Sequence, residues 1–267
     1  MQNLTQYKNY MKSNNISWVI LDSYIELDGV QYAAAITDGV RIVIPADELE
    51  IYRTKRMRET NNFYDRFTVE KVINRMINAS VPYIVTSVDE ENSTVYASRN
   101  KALEKMRSNN PHKVGDEVYC NVVEVNKYCA VVEFDGYIGT IAPKDTSLSR
   151  VFSLSDYYTV GKKINAKIKE FTEDGYVLLA LNEHGSNPYD EYVVEKNFYP
   201  IESTCRAKIR EIRENLMFLE VQLGVNVIAN MPRTIKNFRP RLDDVVKVKV
   251  RGFNNAKRTI SGTIIGY

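Results

Sequence analysis

Alternating apolar and polar positions dominate the stretch from Val114 to Pro143. Apolar residues occupy every second position from 118 to 122, which is the period of a half-buried strand. The pattern breaks briefly and resumes as a second predicted strand. Asp135-Gly136 then favours a tight hairpin, because glycine tolerates the positive φ that such turns need. A third strand runs from this turn to the proline, so the stretch predicts a three-stranded meander.

Two further strands are predicted between residues 160 and 181. Ile164, Ala166 and Ile168 alternate with polar residues, and a short polar turn leads into the last strand. Three strands, a connection and two more strands predict a small five-stranded barrel of the oligonucleotide/oligosaccharide-binding (OB) type. A five-stranded meander in an unrelated barrel would give the same alternation, so the pattern alone leaves both folds open.

One turn-strand-proline element recurs along the chain. Its glycines are spaced 97 and 88 residues apart, and the three copies are Asp38-Gly39 to Pro45, Asp135-Gly136 to Pro143, and Gly224 to Pro232. A repeat of this length is typical of tandem small domains and too long for a solenoid. We therefore predict three domains, over residues 1–109, 110–195 and 196–267.

The first predicted domain contains an insertion between Pro45 and Val81. Apolar residues with helical spacing predict a helix over 68–79 within it. A second helix is predicted over residues 99–107, and residues 1–16 are expected to form a short helical or irregular lead. The expected fold is mainly β, with three tandem five-stranded OB barrels, the first carrying a helical insertion.

Composition places the chain among globular proteins. Its 267 residues are 44% hydrophobic and 26% charged, which is enough for two or three cores. No apolar run approaches the ~20 residues that cross a bilayer, and the polar N-terminus lacks an apolar signal core. We expect a cytoplasmic protein with no membrane partner. Its Asn-, Tyr-, Ile- and Lys-rich composition hints at an AT-rich bacterial or phage genome.

Charge is distributed unevenly among the predicted domains. The formal net charge is +2, but residues 1–109 are neutral, residues 110–195 carry −6 and residues 196–267 carry +8. A basic domain favours a polyanionic partner, although a solvated surface would show the same composition. The acidic middle domain is expected to face another protein or to act as a spacer.

Catalytic and metal-binding patterns are not found in the sequence. Cys120, Cys129 and Cys205 are scattered, and the two histidines, His112 and His184, lie in predicted linkers. Neither a glycine-rich phosphate loop nor a Ser/His/Asp arrangement is visible. We therefore expect no enzymatic activity, no metal and no cofactor.

The middle repeat resembles a known RNA-binding domain. Its opening Val-Gly-Asp, the Asp-Gly-x-x-Gly turn and the later Val-Gly-x-x-Ile are similar to the S-one domain, which is named from the largest protein of the bacterial small ribosomal subunit. Residues 114–181 match best, 204–262 resemble a diverged copy, and 17–103 resemble a more distant copy with an insertion. The resemblance implies a tandem RNA-binding protein without catalytic activity.

This family presents two aromatic residues from its second strand and a histidine after its third strand. The middle repeat keeps Tyr128 at the first aromatic position but has Val131 at the second and Ala142 in place of the histidine. The third repeat has Asn215 and Phe218 at the aromatic positions. No repeat carries the full set.

Single-stranded nucleic acid is bound by cationic grooves combined with aromatic rings on which bases stack. On this basis we predict that the third domain binds single-stranded RNA, such as mRNA or rRNA. The predicted contact residues, with one aromatic from the middle domain, are Arg206, Lys208, Arg210, Phe218, Arg233, Lys247, Lys249, Arg251, Lys257, Arg258 and Tyr128.

The alternative is a protein-interaction scaffold that docks on ribosomal or transcription machinery or belongs to a larger assembly. RNA binding predicts a continuous positive surface on the third domain with Phe218 exposed on it. Scaffolding predicts that this surface is interrupted or that the ring is buried.

Overall fold

The structure is a computed structural model that describes residues 2–49, 66–127, 129–146, 150–173, 175–181, 187–232 and 239–267. Tyr128, Arg233 and His184 therefore lie outside the described residues. The chain divides into two compact units. The N-terminal unit comprises Met1–Ala142 and Tyr158–Leu181, and the C-terminal unit comprises Pro143–Tyr157 and Asn182–Tyr267.

The N-terminal unit begins with a six-stranded sheet in the order β1-β5-β6-β4-β3-β2. Neighbouring strands are antiparallel except for β4 and β6, which are parallel. The strands are β1 (Ser17–Ile20), β2 (Ser23–Leu27), β3 (Val30–Thr37), β4 (Val40–Pro45), β5 (Ser80–Asp89) and β6 (Thr94–Ser98).

The prediction of a closed barrel is wrong for this sheet. The strand that would close the barrel is divided into two short strands, β1 and β2. The two edge strands, β1 and β2, are separated along the chain only by Leu21 and Asp22. Leu21 donates its backbone N–H to Ala79, whereas Asp22 donates to Ala34 on the opposite side. The chain thus changes hydrogen-bonding partner at this point, and the ladder stays open.

Within the described ranges, three helices accompany the first sheet: α1 (Gln2–Ser13), α2 (Arg66–Arg75) and α3 (Arg99–Asn109). The helix predicted over 68–79 therefore lies slightly earlier, and it buries Val69, Val72 and Ile73 as its spacing indicated. Ser98 caps α3 by accepting a hydrogen bond from the Lys101 amide.

A closed five-stranded barrel completes the N-terminal unit, in the order β10-β11-β9-β8-β7. Asp135 and Gly136 have φ of 44° and 83°, which confirms the predicted hairpin turn between its second and third strands. The strands are β7 (Glu117–Val125), β8 (Ala130–Phe134), β9 (Tyr137–Ile141), β10 (Lys163–Phe171) and β11 (Val177–Leu181).

The C-terminal unit contains a second closed barrel, in the order β12-β13-β14-β16-β15. A π-helical turn over Asp190–Glu195 precedes it. The strands are β12 (Thr204–Arg213), β13 (Leu216–Gln222), β14 (Val225–Asn230), β15 (Val245–Asn254) and β16 (Thr259–Gly266). The fold is thus mainly β, and all three sheets share one strand order when β1 and β2 are counted as the two halves of one strand.

The first sheet and the barrel of the N-terminal unit share a hydrophobic core. Val123, Val131 and Ile138 of the barrel belong to the same buried cluster as the first sheet and its helices. The barrel of the C-terminal unit encloses its own cluster, built from inward positions of its five strands and from Tyr189.

Candidate nucleic-acid interface

The outer wall of the C-terminal barrel is formed by β12 and β15, which pair antiparallel. Because side chains alternate along a strand, Ala207, Val246 and Val248 point inward and are buried. The outward positions carry cations that are exposed or partly exposed. We call this set the cationic wall, and it consists of Arg206, Lys208, Lys247, Lys249 and Arg251.

Two like charges face each other in this wall. Arg206 lies directly opposite Lys247 in the β12–β15 register. Opposed like charges destabilise an antiparallel pair. Within the described part of the chain, no carboxylate forms a salt bridge with either side chain. The local fold therefore leaves a positive charge available to an anion from outside.

One carboxylate pairs with two cations of the wall that lie on β15. Glu202 lies 2.6 Å from the Nζ of Lys249 and 2.6 Å from an Nη of Arg251. Hydrogen bonds from Lys249 and then Arg251 hold the pKa of Glu202 below its usual value. Two cations of the wall are therefore paired within the protein.

A second carboxylate, Asp243, pairs with Lys208 of the wall. Its Oδ1 lies 3.0 Å from the Nζ of Lys208 and 3.5 Å from an Nη of Arg210. The hydrogen bond from Lys208 lowers the pKa of this carboxyl group. Lys208 and Asp243 are both largely exposed, and ion pairs of this kind contribute little to stability. The pairing is thus easily exchanged for another anion.

The equivalent wall of the N-terminal barrel, formed by β7 and β10, has a mixed charge. Lys167 lies opposite Glu117, and Lys163 lies opposite the uncharged Asn121. Tyr119 is exposed on this wall, and the Nζ of Lys163 lies 5.8 Å from its ring centroid. The same two strands therefore carry a uniform positive charge only in the C-terminal barrel.

Phe218 is buried, with 7% of its surface exposed, so the expectation that its ring lies open is wrong. Two guanidinium groups lie over this ring. The Cζ of Arg213 on β12 is 5.1 Å from the ring centroid, and Arg150 reaches the ring from the connection between β9 and β10, in a part of the chain that belongs to the C-terminal unit. The Cζ of Arg150 lies 3.8 Å from the centroid of the Phe218 ring. A guanidinium group at this distance makes a cation–π contact and covers a surface on which a base would otherwise stack.

Arg210 is also withdrawn from the open wall. Its side chain is only 12% exposed and contacts Asp156 and Glu220. The Tyr157 hydroxyl donates a 3.0 Å hydrogen bond to the same Glu220, and burial followed by the charge of Glu220 raises the pKa of Tyr157. Of the predicted contact residues on β12, Arg210 therefore serves an internal network.

Lys257 and Arg258 lie at the turn between β15 and β16, and both are exposed. Arg258 pairs with Asp190 at 2.9 Å. A cavity of about 490 Å³ opens beside them. Its lining includes Arg150, Phe218, Ile228, Lys257, Arg258 and Thr259.

Apart from the internally paired Arg210, the structure thus separates the described contact residues into two groups. The cationic wall forms one, and Phe218 with Lys257 and Arg258 forms the other around the cavity. Sequence analysis missed Arg150, Asp156 and Tyr157, because their segment lies between strands of a different barrel and no local pattern indicates where it packs.

The face of the N-terminal barrel that carries Val131 is buried inside its own unit. Val131 belongs to the shared core, and the neighbouring Glu133 pairs with the equally buried Arg99 of α3 at 3.1 Å. Burial raises the pKa of Glu124 on the adjacent strand, although Arg75 lies 3.4 Å away and opposes the shift. This face is therefore used for packing against the first sheet.

The described part of the chain offers few side chains for metal binding or nucleophilic chemistry. No three His, Cys, Asp or Glu side chains cluster there in a way that could hold a metal ion. Burial raises the pKa of the Cys120 and Cys129 thiols to about 12, so neither forms a reactive thiolate at neutral pH. None of the helices among these residues combines the length and apolar character needed to cross a bilayer.

No family model matches the chain. Small ribosomal subunit protein bS1 of Neisseria meningitidis serogroup B is 23% identical over 195 residues, which cover 68% of this chain and 34% of that protein. 4-Hydroxy-3-methylbut-2-enyl diphosphate reductase of Clostridium acetobutylicum is 23% identical over 200 residues, which cover 72% of this chain and 28% of that protein.

Among solved structures, a multidomain protein with nucleic acid binding domains from Streptococcus pneumoniae is 11% identical and has a TM-score of 0.24. The match covers 94% of this chain and 73% of that chain. The chain spans about a third of the length of the curated relatives that it matches. The activity of either whole relative does not follow from a match of this extent.

Proposed function

We propose that the protein binds single-stranded RNA through the cationic wall of its C-terminal barrel and acts by binding, without catalysis. The observation that carries this proposal is the pairing of Arg206 with Lys247, two like charges that no carboxylate of the described residues neutralises. A phosphate backbone supplies the missing negative charge, and binding releases its counterions.

We also propose the type of fold, the partner and the compartment in which the protein acts. The shared strand order of the three sheets supports three tandem OB units of the S-one type, the first with a divided initial strand. The similarity to a protein named small ribosomal subunit protein bS1 supports RNA, including rRNA, as the partner. We propose mRNA as a further partner and the cytoplasm as the compartment.

Contacts of this kind bind phosphate and not bases. The cationic wall contains no aromatic side chain, and Phe218 is covered. We therefore expect little sequence preference and a strong dependence on salt, since each neutralised phosphate of a single strand contributes about −0.7 to the slope of log K against log[salt].

The test is a fluorescence titration with a labelled oligouridylate of about 12 nucleotides, which is within the site sizes of OB folds. Wild-type protein and the Arg206→Glu/Lys247→Glu variant are compared at about 50 and 200 mM salt. The variant is expected to bind more weakly and with a shallower salt slope. Equal affinities and equal slopes for the two proteins would show that the wall is not the site.

A protein-interaction scaffold is the second candidate, and the burial of Phe218 favours it. The pairing of Lys249, Arg251 and Lys208 with carboxylates also interrupts the positive surface. Sedimentation with purified small ribosomal subunits separates the two functions. Protein docking predicts association that persists at about 0.5 M salt, where the Debye length is only a few ångström, and that oligouridylate does not displace.

A further inference from the structure

Residues 143–146 and 150–157, which we call the strap, belong to the C-terminal unit, and residues 150–157 contact its barrel. Two short 3₁₀ helices shape it, over Pro143–Asp145 and Leu154–Asp156, and residues 147–149 lie outside the described residues. Leu154 is fully buried. The strap thus contributes a fully buried apolar side chain as well as polar contacts.

Arg150 makes three kinds of contact from the strap. Its guanidinium lies over the Phe218 ring, with the Cζ 3.8 Å from the centroid, and forms an ion pair with Glu211. Its backbone carbonyl accepts a 3.3 Å hydrogen bond from the side-chain amide of Asn226. Although partial burial opposes the shift, hydrogen bonds from Arg213 and Arg150 hold the pKa of Glu211 below its usual value.

The C-terminal end of the strap is fixed by a second set of contacts. Asp156 pairs with Arg210, and the Tyr157 hydroxyl donates to Glu220 at 3.0 Å. Glu220 also accepts a 3.1 Å hydrogen bond from the backbone N–H of Gly224 at the following turn. The strap is therefore attached at two points, at Arg150 and at Asp156–Tyr157.

We infer that the strap is a self-inhibitory cover and that Arg150 takes the place of a nucleobase on Phe218. A guanidinium group and a base both bind to the face of an aromatic ring, so they compete for it. This inference rests on the proposed function, because the competing ligand is the same RNA. It adds a second, base-stacking site that is closed in the conformation described.

The surroundings of the ring fit that ligand. The cavity of about 490 Å³ beside Phe218 is within the range of small-molecule sites and brings the exposed Lys257 and Arg258 to its rim. A base stacked on the ring in place of Arg150 would have cations beside it for the adjoining phosphates. RNA held first by the cationic wall would thus reach the ring once the strap leaves.

Such a cover lowers the apparent affinity by the fraction of molecules in which the strap is open. Removal of the cover should therefore raise the affinity for RNA, although it also removes a positive charge. Loss of the Arg150 charge by itself weakens the binding of a polyanion, whereas exposure of a stacking ring strengthens it. An increase in affinity on removing a cation is the distinguishing result.

The experiment compares wild-type protein, Arg150→Ala and Lys144→Ala in the oligouridylate titration at one salt concentration. Lys144 is an exposed cation of the same strap, so its substitution is a matched charge control. We expect Arg150→Ala to bind about three- to tenfold more tightly, since an open fraction of roughly a tenth to a third gives that gain. Lys144→Ala should bind equally well or slightly more weakly.

A second substitution identifies the ring as the source of the gain. Phe218→Leu keeps an apolar side chain of similar bulk but removes the aromatic face, so the Arg150→Ala/Phe218→Leu variant should lose the increase. Tyr157→Phe, which removes the hydroxyl group that donates to Glu220, should show a smaller increase. Thermal unfolding of each variant shows that the comparison is made between folded proteins.

Each outcome decides the inference. Affinity that falls or stays unchanged in Arg150→Ala would overturn it, and so would a gain that survives Phe218→Leu. If wild-type protein binds no RNA, the proposed function fails in its present form. Binding by Arg150→Ala would then still establish the cover, whereas no binding by either protein would reject both.

Discussion

At the scale of single residues, the opposed pair Arg206 and Lys247 destabilises the barrel but offers positive charge for binding RNA. Their opposed positions on β12 and β15 concentrate positive charge where the described residues provide no carboxylate. A side chain chosen for stability alone would carry the opposite charge at one of the two positions. We therefore expect stability and RNA affinity to change in opposite directions when Lys247 is replaced.

Lys247→Glu is the direct test of this opposition. Glutamate opposite Arg206 should stabilise the barrel by about 0.2–1 kcal/mol, and the melting temperature should rise slightly. RNA affinity should fall, with a salt slope shallower by about 1. Calorimetry and the oligouridylate titration measure the two effects, and Lys247→Gln should give intermediate values in both. A variant that is less stable yet binds RNA normally would contradict the assignment.

Glu202 limits the charge that the wall presents. Its lowered pKa keeps the carboxylate ionised at neutral pH, so Lys249 and Arg251 remain paired with it at that pH. Glu202→Gln should free both cations, tighten RNA binding and make the salt slope steeper by up to about 2.

Glu214→Gln is the matched control for that substitution. It changes the formal charge equally, but Glu214 is exposed at the β12–β13 turn and forms no salt bridge within the described part of the chain. Equal gains from Glu202→Gln and Glu214→Gln would mean that net charge alone controls affinity and that the pairing has no role.

At the scale of secondary-structure elements, α3 connects the first sheet to the N-terminal barrel. Arg99, its first residue, is buried, donates to the carbonyl of Leu49 and pairs with the buried Glu133 of β8 at 3.1 Å. The side chain of Glu48 accepts a 2.6 Å hydrogen bond from the helix-capping Ser98. The start of α3 is thus fixed from both the sheet and the barrel.

Arg99→Ala should destabilise the N-terminal unit by about 3–5 kcal/mol, because it leaves a carboxylate buried without its cation. Trp18, the only tryptophan of the chain, lies in this unit, so its fluorescence in a urea titration reports the loss. Lys101→Ala, on the exposed side of α3, is the control and should change stability little. Replacement of both Arg99 and Glu133 by apolar residues should restore much of the stability.

The elements that were predicted correctly follow from local patterns. Period-two alternation places Val246 and Val248 inside and Lys247 and Lys249 outside, and Asp-Gly pairs mark turns through the positive φ that they adopt. The cationic wall was predictable for the same reason, since each side chain's direction depends on its own strand.

The remaining features depend on residues that are distant in sequence. The division of the first strand at Leu21 and Asp22 reflects a change of hydrogen-bonding partner between two neighbouring strands. Burial of Phe218 depends on Arg150, which lies in a connection between strands of another barrel. Neither contact leaves a periodic signal, so hydrophobic patterning does not reveal it.

At the scale of the whole molecule, repeated strand topology coexists with divergent surfaces. The face around Val131 and Glu133 became part of a core, whereas the Phe218 face is covered by the strap. The outer wall of strands one and four is mixed in charge in one barrel and cationic in the other. A small overall charge of +2 therefore conceals a strongly basic C-terminal stretch, residues 196–267, which carries +8.

Matched charge reversals on the two walls test whether this location matters. Lys163→Glu/Lys167→Glu on the N-terminal barrel and Arg206→Glu/Lys247→Glu on the C-terminal barrel change the formal charge of the chain equally. A binding site on the C-terminal wall predicts that only the second pair weakens RNA binding and flattens the salt slope, by about 1–2. If binding depended on net charge alone, both pairs would weaken it to the same extent, because screened attraction over the whole surface does not distinguish the barrels.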